Sequence, residues 1–484
     1  MCRFVPARLD AFRHAAGVSA ALRMVGLRAR AAARAITQSD RRDMSEPIHF
    51  GWFVGQGFGV QGWRKDSYSW GHTWYQPDIW EQAARVLEQA GFDLLILKDG
   101  PTVSYSERSR DVGLASAEGG PRHDTLFLVP LLLRVTKHLG IVPTLNTTHY
   151  DPYIAARQIA TLYHQDTPRV GLNVVTSGGG ARTSNFALPG RPLDSEETYR
   201  RAEEWLRVVR SLWTSWDRDA VIEDELNRVY ARADRLHPID FRGEHFDVAG
   251  PGVALPFPDE GPVISAPSNS PRGLRFVGEN ADLQFGYSRD PDIIQGIREG
   301  IDAVRPTNGR DPKRAKIFSN ISPKVVGSQE EKQAYLAWRR SDEGLRRDLP
   351  LLSVILDVDL TQLDFDAPLP APYLDAWTAN PVSAGVVNAF LSTVDDPRTT
   401  PFRELAARST HGQAGDIVGT AEEIADHIEE WTESSALDGV LFDFNVDPES
   451  LFGTLVPLVP VLRRRGLLRT GYASTSLREN LDGF

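Results

Sequence analysis

From Ile48 onward, short runs dense in Val, Ile, Leu and Phe alternate with amphipathic stretches of helical period. The apolar runs predict strands at 48–54 (IHFGWFV), 92–99 (FDLLILKD), 139–147 (LGIVPTLNT) and 169–177 (RVGLNVVTS). They continue at 262–267 (PVISAP), 281–288 (ADLQFGYS), 316–326 (KIFSNISPKVV) and 438–445 (DGVLFDFN). Between them lie helical patterns. PDIWEQAARVLEQAG has Pro77 near its first turn and Gly91 just past its end, the usual asymmetry of helix start and stop. Others are PYIAARQIATLYH, EETYRRAEEWLRVVRSLW and TAEEIADHIEEW.

Strands that are apolar throughout, and mostly separated by helices, belong to a parallel sheet covered on both faces. Eight such strands close into a (β/α)8 barrel, the TIM fold. An open doubly wound sheet shares the alternation, but the even spread of eight units favours closure. Two stretches break the rhythm and are expected to be insertions on a barrel spanning 44–484. One lies near 217–261 and contains the hairpin-like FRGEHFDVAG; the other, near 327–419, is rich in Pro and Asp.

The spelling GFGVQG, Gly57 to Gly62, follows the first strand and fits G-x-G-x-x-G. A working dinucleotide fingerprint must open directly into a helix whose first amides hold the pyrophosphate. Here WRKDSYSWGHTWYQ follows, without helical period, and the next credible helix begins near Pro77. The fingerprint fails its structural condition, and a loop over the mouth of the first strand is expected instead.

Composition narrows the class. A net charge of -11 argues against a general nucleic-acid binder, which needs a basic surface. No apolar run approaches the roughly 20 residues of a membrane helix. The sole cysteine, Cys2, removes internal disulfides and thiol catalysis from consideration and suits a reducing cytoplasm. Residues 1–43 stand apart: nine Arg, no Lys and three acids. That composition resembles a transit peptide, or translated upstream sequence ahead of a start at Met44, and this extension is set aside from the fold.

In a barrel the chemistry belongs to the loops that follow the strands. Strand two ends at Asp99. Strand three ends in Asn146, Thr147, Thr148 and His149. Strand four ends in Asn173, Thr176 and Ser177, and strand five leads through Ser268, Asn269 and Ser270 into a helix. That helix start suits a phosphate, with free amides, hydroxyls and the positive dipole end; it equally suits a plain Ser cap before Pro271. Trp63, Arg64 and His72 in the first loop are candidate substrate contacts, Arg64 as a fork for an anion or as a solvated charge. Metal-hydrolase, Ser-hydrolase and glycosidase patterns are missing, and no metal site is expected. Polar but non-nucleophilic strand ends point to a cofactor that carries the reaction.

The motifs GFDLLILKDG, LGIVPTLNTTHYDPYIAARQIATL, RVGLNVVTSGGGARTSNFA, YRRAEEWLRVVRSLW and VGTAEEIADHIEEW resemble the bacterial-luciferase-like flavin monooxygenases. The subgroup is that of nitrilotriacetate monooxygenase component A and dibenzothiophene-sulfone monooxygenase. The tail RRRGLLRTGYASTSLRENLDG, whose spelling shows no evident mechanical need, is a further marker. The resemblance implies an oxygenase that receives FMN as FMNH2 from a separate flavin reductase and reacts through a peroxyflavin with O2 and a small organic substrate. It places Asp99, Asn146, Thr147, Tyr199 and Ser270 at the flavin, with Ser177 nearby. It assigns stabilisation of the oxygen adduct to Asn146 or His149, the latter equally readable as a structural rim histidine. A homo-oligomer is also implied. Four positions depart from the family pattern: Ser195 stands for a His, Leu172 for a Trp, and Pro267-Ser268 for Ala-Gly. A deazaflavin-dependent hydride-transfer enzyme and a catalytically silent flavin-binding barrel are the competing expectations.

Overall fold

In the computed structural model, the described residues are 47–55, 75–100, 103, 106–117, 120–165, 168–176, 194–305, 315–379, 390–391, 394–408 and 417–483. The arginine-rich extension and the first loop, with Trp63, Arg64 and His72, lie outside them, as does Ser177.

All eight predicted strands form: β1 (His49–Phe53), β2 (Leu94–Leu97), β3 (Gly140–Asn146), β4 (Gly171–Val175), β5 (Val263–Pro267), β6 (Leu283–Gly286), β7 (Lys316–Ile321) and β8 (Gly439–Asp443). They pair in parallel in sequence order, and β8 returns to β1 to close the barrel. The helix after β1, α1 (Pro77–Ala90), starts at Pro77 and ends on Gly91, whose φ of 97° only glycine adopts freely. The glycines of GFGVQG therefore do not open it. The helix Thr125–Val135 before β3 carries no amphipathic signal, being apolar nearly all round with Pro130 inside it; packing rather than pattern makes it helical.

Side chains alternate along each strand, so one set faces the helices and the other the barrel axis. The inward set includes Phe53, Leu94, Ile96, Val142, Val263, Leu283, Phe285, Phe318 and Leu441, one contiguous apolar cluster. Leu477 and Leu481 belong to that same cluster, although they lie in the C-terminal helix Leu477–Asp482. Gly140 and Gly171, both inward-facing, leave the room that the Leu477 side chain occupies. The tail is thus a plug for the amino-terminal end of the barrel.

A buried ionic latch holds it. Arg469 Nη2 lies 2.5 Å from Asp93 Oδ1. The other Asp93 oxygen accepts the Phe50 amide at 3.0 Å and sits 3.3 Å from His49 Nδ1. Tyr472 donates to the Phe92 carbonyl at 2.7 Å. The spelling of the tail therefore has a mechanical reason, which a linear pattern could not display because its partners are some 380 residues upstream.

Between the helix Ser195–Trp213 and β5, two antiparallel pairs (Val221–Asp224 with Val229–Ala231, and Phe241–Arg242 with Asp247–Val248) stand apart from the barrel sheet. Between β7 and β8, the helices Gln329–Arg340, Asp342–Leu356, Ala371–Ala379 and Phe402–Arg408 build an excursion, and Leu345, Leu349, Leu352, Trp377 and Phe402 give it a core of its own. Asp357, at the end of its second helix, accepts the Ser109 hydroxyl at 2.9 Å. Ser109 belongs to the connection that leaves the carboxyl end of β2, so the excursion is tied to the mouth of the barrel.

Candidate active site

At the exit of β2, Asp99 accepts the Gly100 amide at 2.7 Å and faces the Tyr150 hydroxyl at 3.5 Å. Burial pushes its carboxyl up to about 6, with the negative charge of Asp124 adding to the shift and Arg122 opposing it. Tyr150 is raised in turn, first by burial and then by those two carboxylates. The sequence reading named Asp99 but not Tyr150, whose only signal is its position four residues beyond the end of β3.

β3 ends with its last residue, Asn146, buried and turned inward by the strand alternation. Asn146 Oδ1 accepts the Thr148 amide at 2.8 Å, closing a tight turn. Thr147 is wholly buried, yet its hydroxyl makes no hydrogen bond among the described residues. His149 follows half-buried, with its amide on the Asn146 carbonyl at 3.0 Å. Trp205 Nε1 donates to the Tyr150 carbonyl at 2.8 Å and pins this turn to the neighbouring helix. Asn173, another predicted strand-end group, is committed to the barrel interior, donating to Thr144 Oγ1 at 2.8 Å and accepting from Ser265 Oγ at 3.1 Å.

The exit of β5 carries the third cluster. Ser270 caps the helix Pro271–Asn280, accepting the Gly273 amide at 3.1 Å. The Tyr199 hydroxyl lies 3.3 Å from Ser268 Oγ. A Cβ on Gly273 would run into both of those groups, so only glycine lets the two hydroxyls close on the first turn of the helix beside the Ser270 cap. Arg272 stacks its guanidinium 4.9 Å over the Tyr199 ring and is tied to Glu196 at 3.0 Å and Glu203 at 2.7 Å. Gln284, buried on β6, holds the turn from below, donating to the Ser268 carbonyl at 2.8 Å and Asn269 Oδ1 at 3.1 Å. Ser195 is the exposed first residue of its helix, whose cap is Asp194. Its neighbour Glu196 meets Arg272, so Ser195 sits at the rim of this cluster.

These features fit a phosphate-bearing cofactor. Helix amides, hydroxyl donors and a side-chain-free glycine are the parts of an anion cradle. The Thr147 hydroxyl is a buried polar atom with its bonding unmet, a cost that a ligand relieves. By contrast, a cavity of about 710 Å³ lined by Arg210, Trp213, Trp216, Phe257, Asp282 and Arg478 opens near the amino ends of β5 and β6, away from this mouth.

Comparison with known proteins decides the family. The luciferase-like monooxygenase family matches residues 76–438. Dibenzothiophene-sulfone monooxygenase from Rhodococcus erythropolis is 33% identical over 85% of this chain and 92% of its own. The chain belongs to the luciferase-like monooxygenases. Another member, nitrilotriacetate monooxygenase component A from Aminobacter aminovorans, is 30% identical over 87% of this chain and 92% of its own. In structure the chain is similar to DmoA from Hyphomicrobium sulfonivorans, with a TM-score of 0.77 at 27% identity, covering 91% and 93% of the two chains. Long-chain alkane monooxygenase gives 0.74 at 27%, covering 90% and 96%. A luciferase-like monooxygenase is a flavin-dependent enzyme, and the (β/α)8 barrel expected from the alternation is the fold of these neighbours.

Among the described residues no helix is long and apolar enough to cross a membrane, and no group of three or more His, Cys, Asp or Glu is placed to hold a metal ion.

Proposed function

We propose that this chain is the oxygenase component of a two-component system: it takes up FMNH2 made by a separate flavin reductase and uses O2 to oxidise a small organic compound. One observation carries the FMN assignment, the cradle formed by Tyr199, Ser268, Ser270 and the start of the helix Pro271–Asn280. A mononucleotide phosphate completes it, with Ser195 at its edge. Asp99, Asn146 and Thr147 then border the ring system, and His149 stands beside it at the rim.

Reduced flavin, when bound, activates oxygen and supplies one of its atoms to the substrate. The work of the chain is placement and exclusion of water. Ser270 orients the helix start toward phosphate, and Thr147 offers its unmatched hydroxyl to a ring heteroatom. Asn146, its side-chain oxygen accepting the Thr148 amide, is held at the strand end beside the ring system. Asp99, poised near pH 6, holds or releases a proton next to Tyr150.

The test is anaerobic titration with FMNH2 followed by mixing with aerated buffer. Binding, slowed release of peroxide relative to free FMNH2, and a roughly tenfold affinity loss in Ser270→Ala are expected, about what one charge-assisted hydrogen bond contributes. Absence of FMNH2 binding, or tight binding of a reduced deazaflavin in its place, overturns the reading.

A further inference from the structure

The helix Pro448–Arg464 follows β8 and runs back along the outside of the barrel. Its far end reaches the foot of the barrel, where Arg463 donates to the Gln89 carbonyl at 2.7 Å and the Ile48 amide bonds to the Leu467 carbonyl at 2.8 Å. The inner face packs normally, with Leu451, Leu455, Leu458, Val459 and Leu462 in the main core. The outer face is unusual. Phe452, Gly453, Val456, Pro457 and Pro460 are all exposed, Phe452 by 44% and Val456 by 66%, and none of them is polar.

These are the wrong residues for a helix face in water. A solvent-facing position has no packing duty and is best filled by a strong helix former. Glycine and proline are the two weakest, and Pro457 and Pro460 cannot donate to the carbonyls of Gly453 and Val456. Gly453 also has no reason inside its own chain, because a Cβ there would meet nothing within 4 Å. Gly171, by contrast, is pressed by Val142 and the Val263 carbonyl. A glycine that weakens its helix and clears no internal contact makes room for a group from outside.

One charge marks each end of the stripe. Glu449 is exposed and makes no ion pair among the described residues. Arg464, 60% exposed, stands beside Glu422, and a guanidinium has donors for more than one partner. Two copies of the helix laid antiparallel, about an axis between Val456 and Pro457, set Gly453 opposite the second copy's Pro460. The same register sets Glu449 opposite the second copy's Arg464. α1, packed alongside, turns Gln82, Arg85 and Gln89 outward, so the apolar stripe has a polar rim, as protein contacts do. A helix lying in a bilayer instead carries Lys and Arg along its opposite face, and here that face is buried in the barrel.

We propose that the outer face of the helix Pro448–Arg464 is a self-association surface, on which a second copy of this chain seats the same helix antiparallel across a two-fold axis. Such an interface is isologous, each patch meeting itself. The helix runs opposite to the strands, so the two barrel mouths open at opposite ends of the pair and each site stays accessible. The stripe is about 22 Å long. One helix pair covers less than the roughly 1,200 Å² of a tight complex, so the association is a concentration-dependent equilibrium.

The test is sedimentation velocity of the full chain from about 1 to 300 μM. The parent is expected to associate, its mass doubling across the range. Val456→Asp and Gly453→Leu should abolish that doubling. A charge is the decisive change at the first position, because Val456→Ala leaves the face apolar. At the second, the added side chain starts in open space, so lost association is not lost folding. Glu449→Arg and Arg464→Glu should each weaken association at least about fivefold, and the double exchange should return it to within about threefold of the parent. Circular dichroism and the FMN titration should match the parent in every variant. A parent that is monomeric throughout overturns the proposal, as does an assembly that Val456→Asp and Gly453→Leu leave intact. So does a double exchange no better than the single ones. Co-sedimentation of the parent with phosphatidylcholine–phosphatidylserine vesicles, abolished by Val456→Asp, assigns the face to a bilayer and also overturns it.

Discussion

Replacing Leu477 by Ala tests whether the tail plugs the barrel. The side chain is 1% exposed, belongs to the interior cluster and occupies the space beside Gly140 and Gly171. The two glycines are rigid backbone, so the surrounding staves cannot close over the lost atoms. A Leu→Ala change at such a site costs about 2–5 kcal/mol, the upper half applying where collapse is prevented. Unfolding entropy of about 2 cal/mol/K per residue over roughly 440 folded residues gives about 0.9 kcal/mol/K. A loss of 3–4 kcal/mol therefore lowers the melting temperature by about 3–5 °C. The assay is scanning calorimetry at fixed scan rate, with Val456→Ala, 66% exposed on its helix, as the control that should not move. Leu477→Met, which keeps the volume, should cost less than about 1.5 kcal/mol. If Leu477→Ala melts within 1 °C of the parent, by the same conversion from entropy, the side chain does not fill the barrel and the plug argument fails.

Three further outcomes follow from the mouth. Asp99 is raised from 3.8 to about 6 in the folded chain, so its contribution to stability is lost as pH rises through that window. Asp99→Asn, which cannot ionise, should add about 1–2 kcal/mol at pH 7 after allowance for partial exposure and nothing below pH 3.8, as read by denaturation midpoints across pH. Gly273→Ala should weaken FMN binding by at least about tenfold in a fluorescence titration, because a Cβ displaces Ser268 and Tyr199 from the cradle. Gln284→Met, of similar length but unable to donate to Ser268 and Asn269, should raise the FMN dissociation constant with little change at the Asp99 end, where the pH profile of the bound flavin spectrum stays as in the parent.

The eight strands were legible because each is buried on both faces, and a stave of that kind is apolar along most of its length. The cap at Ser270 was legible as well: it sits one residue before a helical run and accepts an amide of the first turn. At Ser270 the structure shows the cap, and the phosphate role is proposed beside it. Gln284 and Asp443 escaped notice because a single polar residue inside an apolar run reads as noise along the chain. Only the closure of the sheet reveals that one lies under the turn at Ser268 and Asn269 and the other faces the axis. The latch between Asp93 and Arg469 was invisible for the same cause, its ends meeting only after the last strand has returned to the first.

Polarity inside this barrel is graded along its axis. The amino end is filled by leucines of the tail and aromatic rings, the middle by the Thr144–Asn173–Ser265 chain, whose members bond to one another. The carboxyl end holds Thr147 and Asn320, which remain without aligned partners among the described residues. A fold selected for stability alone would satisfy or remove such groups, since each unmatched buried atom costs about 1–3 kcal/mol. Among the described residues the middle layer is satisfied, while Thr147 on β3 and Asn320 on β7 stand without aligned partners at the mouth. A cofactor in the cradle can reach the first. The second lies across the barrel, where its amide stands alongside the Tyr287 hydroxyl.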